Sequence, residues 1–114
     1  MKQEDKELLL KDLCSRLPYG VVVELDEKFG FNKGTHILVK ELLDPYGVEG
    51  IKPYLRPMSS MTEEEENEYY NIEFGFNIHS DRVDWLNAHH FDYRGLIEKG
   101  LAIAVTENNN PYKE

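Results

Sequence analysis

The sequence predicts an α+β domain: a small, mostly antiparallel sheet of about three to five strands, with an N-terminal helix and a C-terminal pair of short helices packed on it. Three observations carry that expectation. Leu9, Leu10, Leu13, Cys14 and Leu17 recur at helical spacing near the start of the chain. Two β-rich runs follow, Val21-Val22-Val23-Glu24-Leu25 and Thr35-His36-Ile37-Leu38-Val39-Lys40-Glu41-Leu42, joined by a polar connection containing glycine. The segment Asp84 to Leu101 then holds the only Trp, the adjacent pair His89-His90 and a strong helix stop, so the rest of the chain is expected to pack around it.

Composition narrows the class. At 114 residues the chain has the length of one domain, expected to span 1–105, with 106–114 as a polar, disordered tail. A chain of this size buries roughly two-thirds of its unfolded surface, so one core is feasible without disulfides or structural metal. The 40% hydrophobic content belongs to globular chains. Twenty-two acidic against 13 basic residues give a formal net charge of −9, which disfavours direct contact with nucleic acid or an anionic membrane. Cys14, the single cysteine, cannot form an internal disulfide and reads as a small core residue on the apolar side of the first helix. The N-terminus carries no apolar signal core, and no run approaches the ~18 apolar residues of a membrane span, so the expected location is cytoplasmic.

The elements follow in order. Residues 4–17 form a helix, with Asp5, Lys6, Lys11, Asp12 and Arg16 largely on its polar side, and Pro18 with Tyr19-Gly20 ends it. The two β-rich runs pair as a hairpin, with Ile37 and Val39 on one face and His36, Leu38 and Lys40 on the other. Phe29 and Phe31 flank Gly30 in its long loop and are expected to fold back on the sheet. Asp44-Pro45-Tyr46-Gly47 is a turn. Residues 48–56 make a third strand, which Pro53 and Pro57 should confine to an edge or make irregular. Thr62 and Glu65 fit a capping box for a helix ending near Asn71, and Glu63 to Glu66 sit where the helix dipole favours acids. Phe74 to Ile78 reads as a short strand or extended linker. Ser80 caps a helix over 81–90, and a second short helix spans about 94–99. Gly100 ends it with Leu101 against Leu96, as the Schellman motif requires. Ala102 to Val105 is the last strand. The expected core is Leu10, Leu13, Leu17, Val21, Val23, Ile37, Val39, Tyr54, Leu55, Trp85, Leu86, Leu96, Ile97 and Leu101.

Chemistry-bearing patterns are sparse. His79, Asp81, His89, His90 and Asp92 are ligand types, but adjacent helical His side chains point about 100° apart, and the paired-His spacing of zinc hydrolases is absent. Cys14 has no activating base beside it, and neither a nucleophile elbow nor a phosphate-binding glycine loop occurs. Two short helices leading into a strand are similar to the end of a winged helix-turn-helix, but the second would carry only Arg94 and Lys99. No cofactor is expected.

Three segments resemble one family: Lys6 to Val21, Ile51 to Glu65, and Asp84 to Leu101. The family consists of small uncharacterised proteins of gut anaerobic bacteria, often associated with prophages or mobile elements. About half of the chain carries the resemblance; 22–50 and 66–82 correspond to its variable parts. No assigned activity comes with it. It implies a cytoplasmic location and a phage link.

These readings rank three functions. A non-enzymatic protein-interaction or regulatory module leads, acting on an unidentified protein partner through Tyr54, Arg56, Trp85, His89, His90, Tyr93 and Arg94, because aromatics and Arg dominate binding hot spots. A nucleic-acid-related role follows, as a degenerate winged helix or an acidic DNA mimic. A small metal-dependent enzyme using the His79, His89 and His90 region is third.

Overall fold

The computed structural model describes residues 2–25, 34–39, 50–72 and 78–112, without the side chains of 78–80. The chain order is α1 (Gln3–Arg16), β1 (Val22–Leu25), β2 (Gly34–Ile37), β3 (Ile51–Pro57), α2 (Glu63–Tyr70), α3 (Ile78–Ala88), β4 (Phe91–Asp92) and β5 (Ile103–Ala104). The architecture is α+β, with an N-terminal helix as expected. Phe29, Phe31, the Asp44 turn, and the predicted extended residues 74–77 lie outside the described residues.

The sheet is mixed rather than mostly antiparallel. β1 pairs antiparallel with both β2 and β3, whereas β4 and β5 run parallel to β3. β1 and β2 pair as an antiparallel hairpin. The chain leaves β3 and passes through α2 and α3 before it reaches β4, and such a crossover brings a strand back parallel. The proline-bearing third strand is therefore central, not an edge. Its prolines are tolerated because its partners change along its length. Pro53 closes the register with β1, opposite Val23, and Pro57 closes the register with β4, opposite Asp92. Each missing N–H thus falls at the limit of a ladder.

The predicted alternation holds at Ile37, Leu38 and Val39 with the opposite face inward, whereas Thr35 and His36 are both exposed. The register places Ile37 across from Val22, and the Leu38 amide donates to the Val21 carbonyl at 2.8 Å. Leu38 therefore joins Val21, Val23 and Leu25 in the core, while Ile37 is 63% exposed and Val39 is also exposed. A shift of one residue exchanges the faces of a strand, and hydrophobicity alone does not choose between them here.

Helix α1 runs as predicted and ends in a 3-10 turn over Leu17–Tyr19, with Gly20 at φ 69°. Its inward stripe, however, is Leu9, Asp12, Leu13 and Arg16, while Leu10 is 43% exposed and Cys14 is exposed. The helix is rotated about its axis relative to the apolar stripe because a charge pair is buried. Arg16 donates from Nε to Asp12 Oδ2 at 2.7 Å and from Nη2 to Oδ1 at 3.1 Å. The same Nη2 donates to the Phe91 carbonyl in β4 at 2.6 Å. Both side chains are fully buried.

Helix α3 begins at Ile78, so Ser80 lies within it rather than capping it. It ends at Ala88, and His90 takes the left-handed conformation at φ 63°. The expected helix over 94–99 is replaced by a single turn. Gly95 at φ 76° breaks the entry, and the Asp92 carboxylate accepts from the amides of Leu96 and Ile97, each at 3.0 Å. The exit is as predicted. The Leu101 amide donates to Leu96 O at 2.9 Å and the Gly100 amide to Ile97 O at 3.1 Å, with Gly100 at φ 74°. This is the Schellman bond pair, and Leu96 and Leu101 are both in the core.

Asp12→Ala is expected to cost about 3–5 kcal/mol in denaturant melts, because it strands the buried Arg16 guanidinium. Cys14→Ser on the exposed side should stay within about 0.5 kcal/mol. Equal losses in the two variants would contradict the buried pair.

Candidate functional site

The predicted interaction residues divide among three places. The first begins with the capping box of α2. Thr62 Oγ1 accepts from the Glu65 amide at 3.1 Å, and Glu65 Oε1 accepts from the Thr62 amide at 3.0 Å. The box fixes the Glu65 carboxylate, which also accepts from Arg56 Nη1 at 2.7 Å and Nη2 at 2.6 Å. One carboxylate therefore caps α2 and ties it to the central strand. Those Arg56 hydrogen bonds hold the Glu65 carboxyl down at about 2, against the opposing effect of burial. His89 Nδ1 lies 3.7 Å from Glu65 Oε2.

Aromatic rings continue from this pair. The Arg56 guanidinium lies 4.1 Å from the Phe91 ring centroid, and Phe91 stacks on Trp85 at 5.8 Å and 12°. Trp85 meets His89 at 4.0 Å and Tyr69 at 5.7 Å. The Arg82 guanidinium stands 5.3 Å from the Tyr69 ring centroid, and Tyr70 packs edge-on to Tyr69 at 5.4 Å. Phe91 is buried, Tyr69, Trp85 and His89 are half-buried, and Tyr70 is 60% exposed. The row thus runs from core to surface, and Trp85 occupies its middle rather than the core. Arg56 also lines an open cleft of about 370 Å³, together with Ser60, Val105, Thr106, Glu107 and Asn110.

Tyr93 and Arg94 belong to a second group, around Asp12 and Arg16. Arg94 Nη2 donates to Tyr93 Oη at 3.1 Å and to Ser15 Oγ at 3.4 Å, while Tyr93 Oη donates to Asn87 Oδ1 at 2.8 Å. Arg94 Nε is 3.5 Å from Asp12 Oδ1, near enough for attraction but not aligned as a hydrogen bond. The Tyr93 ring lies 5.2 Å from the Arg16 guanidinium and 4.8 Å from that of Arg94. This group joins α1 to the segment after β4.

Tyr54 and His90 lie at a third place. Tyr54 is buried, and its hydroxyl donates to Glu24 Oε2 at 3.0 Å; burial, then Glu24, raises its pKa. The His90 ring stacks on Tyr112 at 3.9 Å and 8°. Tyr112 Oη donates to the Tyr54 carbonyl at 2.7 Å and accepts from the Val22 amide at 2.9 Å. Residues 106–112, read from sequence as a polar tail, thus supply a phenol that bridges β1 and β3.

Of the seven predicted residues, Arg56, Trp85 and His89 share one cluster. The sequence reading missed Glu65 as the partner of Arg56, and it missed Tyr69, Arg82, Asp12, Arg16 and Tyr112. Asp12 and Arg16 carried a signal, opposite charges four apart on a helix. Tyr112 carried only its aromatic type within a polar run. Among the described residues, no group of three or more His, Cys, Asp or Glu side chains could hold a metal ion. The His79 side chain lies outside the described residues.

No protein-family model, curated protein or solved structure matches the chain.

The Arg56–Glu65 pair sets an acid limit. Its contribution is complete above the ordinary carboxyl value of 4.5 and is lost as pH falls through about 2. Glu65→Gln should lower stability at neutral pH by about 1 kcal/mol, since water screens part of the pair. It should also flatten the stability profile between 4.5 and about 2. Urea melts across that range measure both, and an unchanged acid slope would contradict the pairing.

Proposed function

We propose that the chain is a small, non-enzymatic protein-interaction or regulatory module that recognises a protein partner through the surface end of the aromatic row. The observation that supports this reading is the continuity of Phe91, Trp85, Tyr69 and Tyr70 from buried to exposed, with Arg56 and Arg82 against its rings. A rigid aromatic held from below loses little side-chain freedom on binding, and Tyr, Trp and Arg supply most interface energy. The recognition residues proposed are Arg56, Trp85 and His89 from the sequence reading, extended to Tyr69, Tyr70 and Arg82. A cytoplasmic setting and a phage or mobile-element link are part of the proposal and rest on the sequence alone. No helix among the described residues is long and apolar enough to cross a membrane.

One observation favours a second reading, an acidic DNA mimic. Glu63, Glu64, Glu66 and Glu68 of α2 are all exposed, on the same helix as Tyr70. A mimic would capture proteins that bind duplex DNA, and added duplex DNA would displace them.

The test is capture from a lysate on immobilised protein, followed by binding measurements with the recovered partner. The double variant Tyr70→Ala with His89→Ala should weaken binding by about tenfold or more. Its melting should stay within about 1 kcal/mol of the parent, and Lys11→Ala, on exposed α1, should bind normally. Unchanged affinity in the double variant would overturn the proposed surface. Displacement by duplex DNA would favour the mimic.

A further inference from the structure

The geometry around Tyr112 points to a conformational device distinct from the aromatic row. We propose that His90 latches a C-terminal strap: its neutral ring clamps Tyr112 across β1 and β3, and protonation of that ring releases residues 106–112 while the rest of the fold stays intact.

Four observations support the latch. The clamp is local. Tyr112 Oη takes the Val22 amide and gives its proton to the Tyr54 carbonyl, at 2.9 and 2.7 Å. Thus one phenol ties the first residue of β1 to the middle of β3. The His90 ring covers that phenol in near-parallel contact at 3.9 Å, so the two rings hold or part together. The backbone at His90 is left-handed at φ 63°, an unfavourable conformation for a residue with a Cβ, and it is retained by the Arg56 amide donating to the His90 carbonyl at 2.7 Å. Finally, His90 Nδ1 is buried with no hydrogen-bond partner among the described residues, so a proton placed there would be a donor facing none.

The charges around the ring have one sign. Arg16 reaches it from α1, Arg56 from β3, and His89 from the residue before it. The Asp12 carboxylate already engages Arg16 in two hydrogen bonds and attracts Arg94 at 3.5 Å. Burial, then Arg16, His89 and Arg56, push His90 down to about 4 from its ordinary 6.5. A lowered value means that the closed strap requires the neutral ring. Its stability is complete above 6.5 and is lost as pH falls through about 4. The attraction of an imidazolium for the Tyr112 face acts in the opposite direction, but on one face only. Burial and the Arg16 and Arg56 guanidinium groups act on the charge itself. Tyr112 does not compete for this role, because burial raises its phenol to about 12 and it stays protonated throughout.

Amide hydrogen exchange of the full chain tests the latch. The Val22 amide reports the strap, because its acceptor is Tyr112 Oη, and the Leu101 amide, bonded to Leu96 O, reports the core. Protection factors correct for the pH dependence of intrinsic exchange. From about pH 7 to about pH 5, Val22 protection should fall by about tenfold or more while Leu101 protection holds. His90→Asn tolerates the left-handed backbone but has neither the clamping ring nor its titration, so its Val22 protection should be lower than the parent's at about pH 7 and should be the same at both pH values. Tyr112→Phe should leave Val22 unprotected at both. Joint loss of protection at Val22 and Leu101 in the parent would mean global unfolding and would overturn the proposal. So would an unchanged pH response in His90→Asn. If His90→Asn fails to fold, the parent comparison of Val22 with Leu101 still decides.

Discussion

The buried pair of Asp12 and Arg16 fixes more of this molecule than any other interaction. Removing two charges from water is costly, and here the hydrogen bonds of Nε and Nη2 offset that cost while Arg16 Nη1 is buried without a hydrogen-bond partner among the described residues. Asp12 accepts two hydrogen bonds from Arg16, and Arg16 reaches across to the Phe91 carbonyl. That last bond joins the N-terminal helix to a strand whose other edge meets the central β3. The rotation of α1 follows from it, with Leu9 and Leu13 turned inward and Leu10 and Cys14 outward. Tyr93 and Arg94, which looked like binding residues, are drawn into the same network.

A second constraint acts through Glu65. Its carboxylate closes the start of α2 and at the same time binds the Arg56 guanidinium on β3. A short helix is marginal without tertiary support. Here the cap and the support are one group, so α2 is oriented as it is started. That orientation sets Tyr69 against Trp85 and leaves Tyr70 at the surface. The aromatic row is therefore a consequence of an acid–base link beneath it, and its geometry depends on Glu65 remaining ionised.

How much was legible differs by element. The capping box at Thr62 and Glu65 and the Schellman exit at Gly100 and Leu101 were readable to the atom, because both bonds close within five residues. The span of α1 and the β1–β2 hairpin were readable from periodicity and the proline and glycine stops. The inward face of β2 was not. Ile37, Leu38 and Val39 are all apolar, and the pairing register with β1, including the bond from Leu38 to Val21, selects between the faces. The candidate site was half legible. Residue type pointed to Arg56, Trp85 and His89, but Tyr54 is occupied with Glu24 beneath the surface.

The sequence by itself determined where α1 and α2 begin and end, that the chain turns at Pro18 to Gly20, and that an α+β fold results. The tertiary structure decided which side of α1 faces inward, which strand is central, and which aromatics share a surface. The physical reason is range. Caps and turns are closed by neighbours, whereas Arg16 is buried only because a carbonyl 75 residues away receives it. Likewise β3 is central only because β4 and β5 return to it through long connections, which allow its two prolines to sit at the ends of ladders.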